Sequence, residues 1–213
     1  MRKKILIFSS GPAGKEVLFL INEINKKNPK EGWEVIGFVD KKKTKKKVKN
    51  LNVYNLKEIK NKKSLFAICP VNDPNLRKKI YEKEIIKNFK IPNLIHPDVK
   101  LQKKNIGVGN VIFGSVNFSY DISIGNYNIF NYNCAIGHDT KINHYNTLMP
   151  FVVIGGNCKI DKSVMIGTGA IINQNINVGS NSMVGTGTVV LENVKRNYSI
   201  VDFPRKIKSQ NND

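Results

Sequence analysis

The dipeptide His138-Asp139 is the feature of the sequence best suited to catalysis. A histidine changes charge near neutral pH, so its imidazole can take a proton from an amine or hydroxyl as that group attacks an electrophile. A neighbouring carboxylate can hold the ring in one tautomer and stabilise the imidazolium that forms. Adjacency in sequence does not guarantee this contact, because successive residues of an extended chain face opposite ways. The alternative interpretation is an ordinary surface histidine.

These residues lie inside a long repeat that must position them. Every sixth residue is large and apolar over fifteen consecutive positions: Ile106, Ile112, Phe118, Ile124, Phe130, Ile136, Ile142, Leu148, Ile154, Ile160, Ile166, Ile172, Val178, Val184 and Val190. A fixed short period indicates a solenoid, and a period of six matches neither a helix nor a simple strand. It predicts a three-sided parallel β-helix with 18 residues per coil, in which these side chains fill the interior. An ordinary β-sandwich with accidental spacing is the alternative, and fifteen matches in succession make it improbable.

The residue after each apolar position is often glycine, and Asn143 and Asp161 fill that place elsewhere. Glycine, asparagine and aspartate all tolerate left-handed backbone, so we expect this position to turn the corners. His144 follows His138 by six residues and therefore falls on the next corner of the prism. We interpret His144 as structural or as part of a groove rim.

The N-terminal half predicts a nucleotide-binding α/β unit. An apolar strand over residues 4–8 is followed by the turn SSGPAG, a helix over residues 13–26, and a second strand over residues 33–39 that ends at Asp40. A third strand over 64–69 and a helix over 75–88 follow. Strand, glycine turn, helix, strand and terminal acid is the order of a dinucleotide-type βαβ unit. Only Gly11 and Gly14 of the full glycine motif are present, so a glycine turn without a ligand remains the alternative.

These patterns divide the chain into a Rossmann-like domain over 1–96, a β-helix over 97–192 and a C-terminal tail over 193–213. His96 lies at the first junction, between Ile95 and Pro97, and is expected to be a packed linker residue.

Composition narrows the class of partner. The net charge of +19 could attract an anionic ligand, and seven lysines fall between Lys41 and Lys49. The run reads as a solvated loop rather than a nucleic-acid arm, because it has no interleaved aromatic residues. No apolar segment is long enough to cross a membrane. Three scattered cysteines argue against a disulfide framework or a zinc site, so we expect a cytoplasmic protein.

Several segments together resemble a bacterial family of sialic-acid O-acetyltransferases and nucleotide-amino-sugar N-acetyltransferases. The matching stretches are SSGPAGKEV, WEVIGFVD, NLIHPD, NCAIGHDTKI, MPFVVIGGNCKI and IGTGAIINQNINVGSNSMVGTGTVV. The resemblance implies a left-handed β-helix, a homotrimer, and acetyl-CoA bound in the groove between neighbouring β-helices.

The resemblance also implies roles for individual residues. His138 would be the general base and Asp139 would orient it. Acceptor binding would fall to Gly11, Gly14, Asp40, Lys41 and Asn131, and coenzyme A binding to Gly156, Thr168, Thr186 and Lys206. Many members of the family have a histidine where this chain has Ala13, which leaves the acceptor open.

Three functions remain to be separated. The leading hypothesis is N-acetylation of a nucleotide-linked amino sugar for surface glycan synthesis, with no metal, and its variant is O-acetylation of a sialic-acid-like sugar. A β-helical carbonic anhydrase would need all three histidines, His96, His138 and His144, as zinc ligands. A trimeric scaffold without catalysis is the third possibility.

Overall fold

The computed structural model describes residues 2–41, 45–101 and 105–201. It begins with a five-stranded sheet in the order β3-β4-β2-β1-β5, formed by β1 (Lys3–Ile7), β2 (Trp33–Val39), β3 (Lys47–Val48), β4 (Leu51–Tyr54) and β5 (Phe66–Ile68). Strands β1, β2, β4 and β5 pair in parallel, and β3 pairs antiparallel with β4. The predicted Rossmann-like order is confirmed.

Two helices flank this sheet. Helix α1 (Pro12–Lys27) begins at Pro12, whose missing N–H costs nothing in a first turn. Helix α2 (Pro74–Ile80) begins where the Asp73 side chain accepts a hydrogen bond from the Leu76 backbone N–H. The predicted second helix is shorter than expected, because a π-helical turn (Tyr81–Ile85) follows α2. Single 3₁₀ turns occupy Leu56–Glu58 and Lys62–Ser64.

The second half is a prism of short parallel strands with three faces. The docked face, which carries the N-terminal domain, contains β6 (Leu94–Ile95), β7 (Val111–Ile112), β10 (Ile129–Phe130), β13 (Thr147–Leu148), β16 (Met165–Ile166), β19 (Met183–Val184) and β21 (Ser199–Ile200). The apolar face contains β8 (Asn117–Phe118), β11 (Ala135–Ile136), β14 (Val153–Ile154), β17 (Ile171–Ile172) and β20 (Val189–Val190). The lysine face contains β9 (Ser123–Ile124), β12 (Lys141–Ile142), β15 (Lys159–Ile160) and β18 (Asn177–Val178).

The predicted apolar row fills the interior of this prism. All fifteen residues from Ile106 to Val190 belong to one core cluster, with Ile106 and Phe118 partly buried and the others buried. Each pairs with the residue 18 positions away, as Ile136 does with Ile154. A second buried series, which includes Cys134 and Cys158, lies two residues before many members of the row. The hexapeptide period therefore predicted the fold correctly.

The expectation about the corner glycines was wrong. In the turns that follow Ile106 to Val184, the left-handed residue lies three positions after the apolar residue, as at Asn133, Asp139, Tyr145 and Phe151. Asn143 and Asp161 do not have positive φ. The glycine directly after the apolar residue is needed for close approach instead: a Cβ at Gly137 would lie 2.5 Å from the Gly156 backbone nitrogen in the next coil.

The N-terminal domain packs directly on the docked face. Val111 and Ile129 point outward from the prism and are buried in one cluster with Val17, Leu20 and Ile21 of helix α1. Strand β6, which precedes residue 96, pairs with β7 of the prism, and β21, which follows residue 192, pairs with β19. The domain limits at 96 and 192 remain predictions.

Arg77 joins α2 to the prism from a fully buried position. Its guanidinium donates hydrogen bonds to the backbone carbonyls of Tyr127, Tyr145 and Asn146 and to the Thr147 hydroxyl, over 2.7–3.0 Å. It also donates to the carbonyl of Val71 at 2.6 Å. Burial lowers the Arg77 pKa to about 10. The charged guanidinium therefore holds the N-terminal domain against the prism by donating hydrogen bonds to several carbonyl oxygens.

Candidate active site

His138 lies at the corner between the apolar and lysine faces, where its ring is held on both sides. The Tyr120 ring, one coil earlier, stacks on the imidazole with centroids 5.3 Å apart and planes 9° from parallel. Gly156, one coil later, provides a bare backbone floor, and a Cβ there would come within 2.6 Å of His138 Nε2. The 18-residue coil thus orients a side chain that remains 50% exposed.

Asp139 makes the contact that sequence adjacency alone could not guarantee. Its Oδ2 lies 2.6 Å from His138 Nδ1. The left-handed backbone of Asp139, with φ of 56°, turns its side chain alongside that of its neighbour. With the Nδ1 proton donated to the carboxylate, Nε2 keeps a lone pair and can accept a proton. The pair therefore has the geometry of a general base with an orienting acid.

His144 occupies the corner between the lysine and docked faces and has different surroundings. Its Nδ1 accepts a 2.9 Å hydrogen bond from the Asn126 backbone N–H, one coil earlier. Burial, and secondarily the charge of Lys162, lowers the His144 pKa. This ring is thus favoured in its neutral form as an acceptor within the turn. The interpretation of His144 as structural agrees with these contacts.

The third corner, which we call the slot corner, carries Thr168 and Thr186 at equivalent places in successive coils. Gly169 and Gly187 follow them with φ of 67° and 70°, and a Cβ on either would meet nothing within 4 Å. Open space therefore runs along the coils beside two hydroxyls. The predicted coenzyme residues are divided within one chain, because Gly156 lies beside His138 while Thr168 and Thr186 lie across the apolar face.

Asn131 also lies at the slot corner, where it is buried. Its side-chain amide donates to the Leu148 carbonyl at 3.0 Å. One chain does not bring it to His138. Its assignment to the acceptor remains a prediction, and Lys206 lies outside the described residues.

The predicted residues of the N-terminal domain gather around the start of α1. A cavity of about 540 Å³ is bordered by Gly11, Asp40, Lys15 and the lysines Lys45, Lys47 and Lys49. Asp40 Oδ2 accepts a 2.6 Å hydrogen bond from the Ser10 hydroxyl. Gly14 is buried, and a Cβ there would collide with the Ser9 carbonyl, so it permits the close helix–strand contact expected of it.

Lys41 lies on the other side of Asp40. Its Nζ is 2.7 Å from Glu84 Oε1. A second cavity of about 280 Å³ is bordered by Asp40, Lys41 and the apolar side chains Leu76 and Ile80. Asp40 thus stands between a basic cavity and a more apolar one.

The remaining histidine is packed as expected. His96 lies against Gly114, where an added Cβ would be 3.5 Å from the ring, and its Nδ1 accepts from the Asp98 N–H at 3.3 Å. Within residues 2–41, 45–101 and 105–201, no three histidine, cysteine or acidic side chains group in a way that could hold a metal ion. The cysteines of the chain are buried and free. No helix in the same ranges is long and apolar enough to span a membrane.

Sequence reasoning missed three residues around these sites: Tyr120, Arg77 and Phe151. The 18-residue spacing of Tyr120 and His138 was a usable signal for their stacking. Arg77 gave no signal, because its partners on the prism lie 50 to 70 residues away. Phe151 is exposed and has a left-handed backbone.

With this architecture, the molecule belongs to the class of proteins that join an α/β domain to a left-handed β-helix. Residues 4–84 match the PglD N-terminal domain. No curated protein matches the sequence significantly.

Three solved structures are similar over almost the whole chain. A perosamine N-acetyltransferase from Caulobacter crescentus, in complex with CoA and GDP-perosamine, is 21% identical with a TM-score of 0.81, and the match covers 97% of each chain. The acetyltransferase domain of PglB from Neisseria gonorrhoeae, in complex with acetyl coenzyme A, is 24% identical with a TM-score of 0.83 over 93% of this chain and 96% of that one.

WeeI from Acinetobacter baumannii is 21% identical with a TM-score of 0.81 over 95% of this chain and 97% of that one. At these identities the likenesses establish the fold. Together with the matched N-terminal domain, they confirm the resemblance to hexapeptide-repeat sugar acetyltransferases.

Proposed function

We propose that this protein is a homotrimeric, cytoplasmic enzyme that transfers an acetyl group from acetyl-CoA to the amino group of a nucleotide-linked sugar used in surface glycans. The observation that carries the proposal is the His138–Asp139 pair, oriented by Tyr120 and Gly156 at the edge of an exposed apolar face. The similar structures that contain CoA, acetyl coenzyme A or GDP-perosamine support it.

The trimer is supported by the contrast among the three faces. The N-terminal domain covers the docked face at Val111, Ile129 and Thr147. The lysine face presents Ser123, Lys141, Lys159 and Asn177 to solvent. The apolar face instead exposes Val153, Ile171 and Val189 in one ladder, each 41–48% accessible. A row of aliphatic side chains of this kind favours burial against another protein surface. The occupant we infer is a second copy of this chain.

Three-fold closure would assemble the divided site. The apolar face is bordered by the His138 corner on one side and by the slot corner on the other. If this face turns toward a three-fold axis, the His138 corner of each subunit meets the slot corner of its neighbour. Gly156 and His138 would then come from one subunit, and Asn131, Thr168 and Thr186 from the next. The two halves of the predicted coenzyme site become one groove.

The chemistry follows from the orientation of His138. The acceptor nitrogen attacks the thioester carbon, so that a C–N bond forms and the C–S bond breaks. His138 Nε2 takes the proton from nitrogen, and the resulting imidazolium can pass it to the departing thiolate. Asp139 stabilises that imidazolium through Nδ1. Backbone N–H groups at the coil corners, near Gly156, would stabilise the oxyanion.

The N-terminal cavity has the chemistry required for the nucleotide. The start of α1 and the lysines Lys15, Lys45, Lys47 and Lys49 offer positive potential to a diphosphate. The Asp40 carboxylate can accept hydrogen bonds from ribose hydroxyls. The apolar cavity beside Asp40 could receive the base. The nucleotide would thereby hold the amino sugar for delivery to the groove.

Two measurements test this proposal. Titration of the full chain with UDP, GDP, dTDP and CMP should show saturable binding of at least one, weakened by Asp40→Ala. Thiol release from acetyl-CoA should depend on a nucleotide-linked amino sugar such as GDP-perosamine. Binding of none of the four nucleotides would remove the nucleotide-sugar version, and acetylation of a free sialic acid would favour O-transfer. A trimer that binds acetyl-CoA without turnover on either acceptor would indicate a scaffold.

A further inference from the structure

Phe151 combines two properties that are unusual for a large aromatic residue. The residue is 59% exposed, and its backbone is left-handed with φ of 62°. Bulky side chains rarely adopt this conformation, which favours glycine, asparagine and aspartate. The backbone cannot relax easily, because the Phe151 N–H donates to Tyr132 O at 3.0 Å and the Pro150 carbonyl accepts from Gly169 N–H at 2.9 Å. The chain therefore holds an exposed phenyl ring at a strained turn.

The same turn in other coils shows what this ring changes. Positions 115, 133, 169 and 187 occupy the equivalent place and are Ser115, Asn133, Gly169 and Gly187, all with positive φ. Around Gly169 and Gly187 the space where a Cβ would lie is open. The slot corner is thus unobstructed over two successive coils, and the Phe151 ring stands in the next coil down.

The ring lies at the height of His138 along the prism. Adjacent coils are about 4.8 Å apart, as neighbouring strands are. Residues 138 and 151 are separated by less than one 18-residue coil, so their heights differ by less than this spacing. Closed three-fold symmetry adds no shift along its axis. In such a trimer, Phe151 of the neighbouring subunit therefore lies across the groove at nearly the same height as His138. The open slot of that neighbouring subunit, at Gly169 and Gly187, ends at this height.

We propose that Phe151 of one subunit closes the acyl end of the groove beside His138 of the next, and limits the donor to short acyl-CoA thioesters. This inference rests on the proposed function and deepens it by assigning acyl-chain selectivity. The narrow pantetheine chain would lie along the slot corner at Gly187 and Gly169, and the thioester would lie next to the phenyl ring of Phe151. An acetyl group fits that end, whereas a longer chain meets the ring.

The test compares acetyl-CoA and hexanoyl-CoA as ligands of the intact protein, so it needs no acceptor. Isothermal titration calorimetry gives the ratio of the hexanoyl-CoA Kd to the acetyl-CoA Kd. In Phe151→Gly, which copies the turn at Gly169, this ratio should fall by about tenfold or more, since each methylene admitted to an apolar pocket adds binding. Phe151→Leu should give an intermediate ratio. Asn181→Gly is the matched control, because Asn181 has φ of 59° at the corner that carries His144.

The outcomes separate this inference from the proposed function. A ratio that stays within about twofold of the parent in both Phe151 variants, while CoA itself still binds, would overturn the role of Phe151 alone. A parent protein that binds neither CoA nor acetyl-CoA would overturn the proposed function and this inference together. An equal drop in the ratio for Asn181→Gly would mean that relief of backbone strain causes the effect. That result would also overturn the proposed role of Phe151 in acyl-chain selectivity.

Discussion

His138 and His144 occupy the same place in consecutive six-residue repeats, yet the two corners differ in almost every physical respect. His138 stacks on Tyr120 above a glycine floor, contacts Asp139 and is half exposed. His144 accepts a hydrogen bond from the Asn126 backbone N–H, and burial together with the charge of Lys162 lowers its pKa. What distinguishes them is the residue one coil away, 18 positions along the chain. In a solenoid, the residue one coil away determines whether a side chain remains exposed and able to react or forms a hydrogen bond within the turn.

The largest effect should come from His138. We expect His138→Ala to lower kcat for acetyl transfer by about 10²- to 10⁴-fold, because the amine loses its proton acceptor. His144→Asn should stay within about threefold of the parent, since Asn126 already makes the equivalent turn contact by accepting from the Val108 N–H. Steady-state kinetics on matched preparations makes the comparison. Equal losses in the two variants would remove the distinction between the corners.

The next largest effect concerns stability at the His144 corner. Arg77→Leu should lower the free energy of unfolding by about 3–5 kcal/mol, because it leaves the carbonyls of Tyr127 and Tyr145 without their guanidinium donor. Urea denaturation followed by circular dichroism measures it. Arg2→Leu is the control, since Arg2 donates to an exposed carbonyl, that of Pro29. A loss below about 1 kcal/mol would mean that the domains are held mainly by the apolar cluster around Ile129.

A smaller effect is expected under the His138 ring. Gly156→Ala introduces a Cβ that conflicts with His138 Nε2 and should tilt the ring away from Tyr120. We expect kcat to fall by about 10- to 100-fold with little change in melting temperature. Gly114→Ala provides the matched control, because its Cβ would meet the His96 ring at an ordinary 3.5 Å. Full activity in Gly156→Ala would show that the glycine floor does not orient the base.

The smallest effect is a pH dependence of stability at His144. Its pKa is lowered in the folded state, so the unfolded chain binds the proton more readily. Stability from this group is therefore present above its unfolded pKa, about 6.5, and declines as the pH falls below that value. His144→Asn should remove that part of the decline below about pH 6.5. Identical profiles of unfolding free energy against pH in the two proteins would contradict the assignment.

The sequence predicted the parts of the molecule that depend on period and order. The row from Ile106 to Val190 indicated the prism and its core, and strand, glycine turn, helix and acid indicated the N-terminal sheet and the place of Asp40. The left-handed position was misassigned, because the conspicuous glycines serve close approach between coils and the turn itself accepts Asn133, Tyr145 or Phe151.

Other features could not be predicted because they depend on distances between coils or domains. The partners of Arg77 on the prism are distant in sequence, and its structural role appears only when α2 lies on the docked face. The six-residue period alone places Gly156 and Thr168 at different corners of the prism. Whether the two residues form one site depends on how the subunits pack. Three corners of one chain cannot complete the proposed site.

Mixed trimers provide the most direct test of that central claim. Subunits with His138→Ala and subunits with Thr186→Trp, each inactive alone, can be co-expressed in equal amounts. If each groove combines one His138 corner with a neighbour's slot corner, every mixed trimer regains one intact groove, and total acetyl transfer should reach about a quarter of the parent level. Activity that stays at the level of the two variants alone, in trimers verified to contain both subunits, would contradict a site built between subunits.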